Sequence, residues 1–159
     1  PRLIIPDSSV LVAFFDFLMG LAVFLLFCVA YKQPLHWYSI PYFIAGILLL
    51  LLAAFGTGTF LAALNVKYRD FRYTIPFLLQ LLFFSAQVIY PAQLITSPYL
   101  KYALALNPVN ASIELFRCGL TGQSPDSLLL TAGLIITVVA VIAGLYFFRK
   151  TEAYFADIA

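Results

Sequence analysis

Residues 40–64 read IPYFIAGILLLLLAAFGTGTFLAAL, a run of 25 residues without a charge. Such a run fits a helix crossing a bilayer, because about 20 apolar residues rising 1.5 Å each traverse the hydrocarbon core. Ser39 is placed to cap this helix and Pro41 falls in its first turn, where a missing N–H costs little. Asn65-Val66-Lys67 ends it. Three neighbouring runs have the same character. The first covers about 10–31, entered through the capping residues Pro6-Asp7-Ser8-Ser9 and closed by Lys32-Gln33-Pro34. Another covers about 75–91, with Pro76 in its first turn, and the last covers about 128–148, entered through Ser124-Pro125-Asp126 and stopped by Arg149-Lys150. The expected fold is therefore all-α, a polytopic membrane bundle of four transmembrane helices.

Composition agrees. Of 159 residues, 64% are hydrophobic and 10% charged, and the mean hydropathy is +1.00, which excludes a water-soluble fold. The formal charge of +2 is too small and scattered for a nucleic-acid surface. Cys28 and Cys118 have neither metal-ligand nor redox spacing and read as packing residues. The chain opens Pro1-Arg2-Leu3 and its only methionine is Met19, so it is expected to be a piece of a longer polytopic protein.

The stretch from about 92 to 123 is too apolar for a wet loop, yet it carries Pro98, Lys101, Asn107-Pro108, Glu114 and Arg117. Two short helices that dip into the membrane and return fit it, with Asn107-Pro108 starting the second. Charge counting favours this arrangement. With the stretch re-entrant, one side holds Arg2, Lys67, Arg69, Arg72, Arg149 and Lys150 against Lys32, Lys101 and Arg117 on the other, six to three, whereas a full crossing gives five to four. Both ends of the chain then lie in the cytoplasm, and the broken helices form an outward-facing hairpin. Non-helical backbone at that depth needs cover from protein or a water-filled cavity, which suggests a pathway or gate.

The chemistry available is sparse. There is no G-x-x-x-x-G-K-[ST] phosphate loop, and Gly56-Thr57-Gly58 lies inside a span. The single histidine, His36, sits beside Trp37 and Tyr38 and reads as part of an interfacial anchor. No metal centre, cofactor or catalytic constellation is expected. Asp16 is the one acid well inside a span, fit either for a polar contact at the inner end of a channel or for structural pairing. Phe14, Phe15, Phe77, Phe83, Phe84 and Tyr90 fit lipid-facing belts or, alternatively, an aromatic lining on which sugar rings slide. Asn110-Ala111-Ser112 matches a glycosylation triplet but carries no weight in a membrane-dipping helix. The turn Asn65 to Tyr73, with Lys67, Tyr68, Arg69, Asp70 and Arg72, reads as a stop-transfer loop or as a docking surface for a cytoplasmic partner.

Taken in order, Ala63-Leu64-Asn65-Val66-Lys67-Tyr68-Arg69-Asp70-Phe71-Arg72-Tyr73, Pro76-Phe77-Leu78-Leu79-Gln80, Tyr90-Pro91, Ala105-Leu106-Asn107-Pro108, Ile113-Glu114-Leu115-Phe116-Arg117 and the tail from Phe148 to Asp157 resemble the permease subunit of ABC-2 type exporters for polysaccharides. The opening Pro1 to Pro6 resembles that family's segment before its third span. The resemblance implies a six-span permease of the bacterial inner membrane, of which this chain supplies spans three to six. It further implies a permease homodimer, two copies of a separate ABC ATPase subunit, and a lipid-linked glycan (O-antigen, capsule or teichoic acid) as substrate among the membrane lipids. Residues 92–123 would be the periplasmic gate, carrying Asn107, Pro108, Glu114 and Arg117. Arg2, Lys67, Tyr68, Arg69, Asp70 and Arg72 would meet substrate or partner, and Asp16, Phe14, Phe15, Phe77, Phe84 and Tyr90 would line the channel. An exporter of drugs or other small lipid-like molecules, and a membrane enzyme or interaction protein using Glu114 and Arg117, are the alternatives.

Overall fold

The computed structural model describes residues 4–32, 37–68, 70–88, 95 and 97–156. Its elements are α1 (Ile4–Ala30), α2 (Ser39–Lys67), α3 (Phe71–Ser85), α4 (Pro98–Ala105), α5 (Asn110–Thr121) and α6 (Ser127–Ala156), with no strand among the described residues. The expected all-helical membrane bundle is what the chain forms. Three helices are long and apolar enough to cross a membrane: Val10–Ala30, Ser39–Lys67 and Ser127–Thr151. Helix α3 is apolar but has only 15 residues, about 22 Å against a hydrocarbon core of about 30 Å.

Several helix ends fall elsewhere than the sequence suggests. Helix α1 already begins at Ile4, so Pro6 to Ser9 lie inside it rather than capping it; Pro6 still falls in the first turn, where it is tolerated. Helix α2 is capped at Tyr38, and Ser39 becomes its first residue. Pro76 lies beyond the first turn of α3, since that helix starts at Phe71. At α6 the cap is Asp126, whose Oδ1 accepts the N–H groups of Leu128 and Leu129 at 3.1 and 3.4 Å.

The centre of the molecule is the pair α2 and α6, lying parallel and close. A Cβ on Gly56 would come within 2.7 Å of the Val141 nitrogen, and one on Gly144 within 2.6 Å of the Gly56 carbonyl oxygen. Only glycine permits this approach, and lipid-immersed helices associate through such contacts because water supplies no apolar driving force there. Further along the same interface Phe60 meets Phe147 edge-on at 5.4 Å. Thr59, fully buried, turns its hydroxyl back to the Phe55 and Gly56 carbonyls.

Helix α5 runs back along α2 in the opposite sense. Ala111 and Leu115 pack on Leu49, Phe116 covers Gly46, and Gly119 lies on Tyr42 and Phe43. Gly122, at φ +70°, closes α5 with a bond to the Cys118 carbonyl and abuts the Tyr38 hydroxyl. The beginning of α5 therefore lies ten residues, about 15 Å, into α2. It lies equally deep along α6, where Thr137 Oγ1 donates to the Pro108 carbonyl at 3.2 Å. Helix α4 makes the descent, from Lys101 beside Asp126 to Ala105 beside Leu129. The α4–α5 hairpin thus enters and leaves on one side of the α2–α6 pair. Helix α1 is weakly embedded: within Val10–Ala30 only Cys28 is buried, and the helix reaches the body through Phe17 against Phe116 at 6.0 Å. Both cysteines are free and buried, as packing residues should be.

Candidate functional site

Where α3 stops, the Ala86 N–H is shared by the Leu82 and Phe83 carbonyls at 3.0 and 3.1 Å and Ser85 Oγ donates back to Leu82 at 3.0 Å, whereas the carbonyls beyond them have no next turn to bond. Two asparagines from the hairpin add bonds to this end. Asn107 Nδ2 donates to the Leu82 carbonyl at 2.8 Å and to Ser85 Oγ at 2.9 Å. Its Oδ1 accepts the Val109 N–H at 3.0 Å, an Asx turn through Pro108 that leads into α5. Asn107-Pro108 therefore sets up the helix start, although α5 proper begins at Asn110. Asn110 Nδ2 donates to the Leu104 carbonyl at 2.6 Å and the Ser85 carbonyl at 3.1 Å, while its Oδ1 accepts the Gln87 N–H at 2.9 Å. Arg117 completes the clasp by donating from Nη2 to the Gln87 carbonyl at 2.7 Å.

A second group of polar side chains continues toward the end of the hairpin. Arg117 Nη1 lies 3.8 Å from Glu114 Oε2. Glu114 is 2% exposed, and its Oε1 accepts the Asp126 N–H at 3.2 Å. Asp126 Oδ2 pairs with Lys101 Nζ at 2.7 Å. The Lys101 ammonium hydrogen-bonded to Asp126 is the main cause that holds its carboxyl below the usual value of 3.8; burial opposes this, and the Leu129 and Leu128 N–H groups assist. Lys101, Glu114, Asp126 and residues 123–125 and 127 line an open cleft of about 750 Å³. Gln87 is fully buried, yet neither atom of its side-chain amide has a hydrogen-bond partner among the described residues. Glu114 Oε2 and Arg117 Nη1 also lack hydrogen bonds among them.

The structure thus brings together all four residues expected at the gate: Asn107, Pro108, Glu114 and Arg117. It adds Ser85, Gln87, Lys101, Asn110 and Asp126, which the sequence reading did not place at the gate. Asn110 is 0% exposed with its amide fully engaged, so the glycosylation triplet marks a buried joint. The signal available in the sequence was a pair of asparagines three apart amid apolar residues, since amides at membrane depth need partners.

At the opposite end, Lys67, Tyr68, Asp70, Phe71 and Thr74 line a second cleft of about 540 Å³. Lys67 Nζ lies over the Tyr68 ring at 5.2 Å, and Arg72 is exposed. Arg2, Arg69 and Tyr90, like His36, lie outside the described residues. The remaining aromatic candidates are scattered. Phe77 and Phe84 are 64% and 59% exposed on α3, and Phe83 meets Phe84 edge-on. On α1, Phe15 and Asp16 are exposed, whereas Phe14 is half-buried and stacks on Phe17. Asp16 has no place within the α2–α6 body, and Phe15, Phe77, Phe83 and Phe84 are exposed, whereas Phe17 of α1 packs on Phe116.

The family model of the ABC-2 type transporter matches residues 6–121. The chain is similar to the O-antigen export system permease protein RfbA of Klebsiella pneumoniae, 28% identical over 165 aligned positions that cover 99% of this chain and 61% of that protein. It is equally similar to RfbA of Myxococcus xanthus, 28% identical over 159 positions with the same coverage. The chain thus spans about three fifths of the length of these relatives. No solved structure matches it. With its apolar spanning helices and a family match over most of its length, this chain belongs to the ABC-2 type transporter family and is a multi-pass membrane protein.

Proposed function

We propose that this chain is part of the permease subunit of an ATP-driven exporter that moves lipid-linked polysaccharide across the bacterial inner membrane. The observation that supports this reading is the α4–α5 hairpin, which enters and leaves on one side of the α2–α6 pair and whose polar side chains bond the end of the short helix α3. A gate needs such a joint: irregular backbone at depth, fully hydrogen-bonded, beside a possible passage. The export systems of the two RfbA relatives supply the substrate class, a glycan.

In this proposal two permeases pair, and two ABC ATPase subunits bind on the cytoplasmic side, where both ends of this chain lie. Helix α3 belongs to the third of this chain's four crossings. Arg2, Lys67, Tyr68, Arg69, Asp70 and Arg72 meet the anionic lipid carrier or the ATPase there. Asp16, Phe14, Phe15, Phe77, Phe84 and Tyr90 face the passage, the aromatic rings offering apolar platforms to sugar rings without deep pockets. Asn107, Pro108, Glu114 and Arg117 form the outer gate. ATP binding by the partner opens the passage, and the glycan leaves outward.

The test is disruption of the gene in its host. Accumulation of lipid-linked glycan on the cytoplasmic face, together with loss of surface glycan and co-purification of the permease with an ABC ATPase, is the expected result. Normal surface glycan with impaired efflux of small lipophilic compounds would replace the substrate class, and absence of any ATPase from the purified protein would remove the transport mechanism. Charge reversal at Arg69 is expected to lower export or assembly; unchanged export and assembly would take it off the contact surface.

A further inference from the structure

Helix α3 is attached to the rest of the molecule in a distinctive way. None of its residues is buried, so side-chain packing does little to hold it. It begins at the turn that carries the Lys67, Tyr68, Asp70, Phe71 and Thr74 cleft. It ends in the bonds from Asn107, Asn110 and Arg117 to Leu82, Ser85 and Gln87, all between 2.7 and 3.1 Å. Helix α5 is fastened to α2 differently, by Phe116 on Gly46, Tyr42 and Phe43 on Gly119, and Leu49 on Ala111 and Leu115. Rings and methyl groups lying on glycine and alanine have no preferred direction, and packed helices shift past one another by small shear. Hydrogen bonds are directional, and breaking those at the Ser85 carbonyl and at Gln87 leaves polar groups unpaired, while the Leu82 carbonyl keeps the Ala86 N–H and Ser85 Oγ. The polar ties from the hairpin to α6 include Asp126 N–H to Glu114 Oε1 and Thr137 Oγ1 to the Pro108 carbonyl, each 3.2 Å long, and the Lys101–Asp126 pair in its partly exposed position. Thr137 keeps a 2.8 Å bond to Gly133 if the first is lost.

One more feature belongs to the same joint. The Gln87 side chain is buried with a donor and an acceptor unbonded among the described residues, although buried polar groups are ordinarily bonded. Its main chain is gripped on both sides by Asn110 and Arg117. A second arrangement of the joint has a ready amide to use.

We propose that Asn107, Asn110 and Arg117 are coupling residues: their clasp makes the C-terminal end of α3 and the α4–α5 hairpin one moving unit, so that a displacement begun at the α2–α3 turn is passed to the hairpin. This rests on the reading of the chain as part of an ATP-driven permease. Arg117 acts here by positioning the end of α3 and touches no substrate.

The experiment uses the whole permease with its ATPase in proteoliposomes. Asn110→Ala and Arg117→Ala are expected to keep ATP hydrolysis within about twofold while export falls about tenfold or more, the scale of a coupling between two sites. Because either variant could fail to fold, a second pair restores the joint covalently. In a background of Cys28→Ala and Cys118→Ala, S85C with N107C is expected to be uncoupled, and a short bis-methanethiosulfonate cross-link between the two thiols is expected to return export. Export undiminished before cross-linking, or blocked after it, overturns the proposal. A readout without glycan uses spin labels at L81C on α3 and T121C on α5, compared with L81C and L52C on α2. Between nucleotide-free and ATP-bound states the first distance is expected to hold while the second changes. A change in the first, or no change in either, overturns the clasp even where export of glycan has been demonstrated. Failure of the unmodified complex to export glycan, with the distances behaving as expected, overturns the substrate reading alone.

Discussion

Asn110 is the side chain on which most of the joint converges, since one amide serves the last residue of α3, Gln87 in the turn beyond it and the end of α4. Replacing it by alanine strands the Ser85 carbonyl and the Gln87 N–H, while the Leu104 carbonyl keeps the Asn107 N–H. A buried group left unpaired costs about 1–3 kcal/mol, so Asn110→Ala is expected to lower the thermal unfolding temperature of the detergent-solubilised protein by several degrees. A shift no larger than that of an exposed control such as Leu106→Ala would refute the expectation. Asp126 makes a pH-dependent contribution. Its folded carboxyl titrates below the usual 3.8, so the Lys101 pairing stabilises α4 fully above that value and is lost as pH falls through the lower folded one. Hydrogen exchange at residues 128–129 should therefore accelerate only below about pH 3.8, and Lys101→Met should move the onset upward. An onset that stays put in Lys101→Met would show that the pairing is not its cause.

At the level of elements, the glycines divide into two kinds. Gly56 and Gly144 sit where α2 and α6 touch, so Gly144→Val is expected to separate the helices and to yield aggregated protein on size-exclusion chromatography. Gly58 is on the same helix, but a Cβ there meets nothing within 4 Å. Gly58→Ala is accordingly expected to be neutral, or stabilising by about 0.5–1 kcal/mol through the lower chain entropy of alanine. Damage comparable to that at Gly144 would mean that another helix or subunit covers this face. The difference between α3 and α5 has the same origin. One helix is held by its end through hydrogen bonds, the other along its length through apolar contact.

For the molecule as a whole, the parallel α2 and α6 define two opposite ends. One carries the Lys101, Glu114 and Asp126 cleft and the other the Lys67, Tyr68 and Asp70 cleft. In the proposed orientation, Q123C is labelled by a membrane-impermeant thiol reagent added outside intact spheroplasts, and K67C only after permeabilisation. The reverse pattern would invert the proposed topology. The exposed aromatic faces of α1 and α3, together with an exposed Asp16 in an apolar helix, are what a passage or a partner helix requires, because a carboxylate facing lipid is costly. Asp16→Leu is therefore expected to retain folding and lower export; full export would leave Asp16 without a role in the passage.

The sequence by itself determined the class of fold, the long helices and the family. Those features depend on run length, hydropathy and local proline and glycine chemistry, which neighbouring residues express without any tertiary partner. It also singled out Asn107, Glu114 and Arg117, because polar groups in an apolar stretch stand out. It could not set the end of α3 at Ser85, nor show that Asn107 and Asn110 hold that end, since the bonds join residues more than twenty positions apart. For the same reason Gln87 looked like an ordinary residue of a span, and nothing linked Lys101 in the 92–123 stretch to Asp126 at the entry to the last span. Where α3 stops was decided by the folded hairpin, because a carbonyl at membrane depth can be left free of its helix only where another part of the chain arrives to bond it.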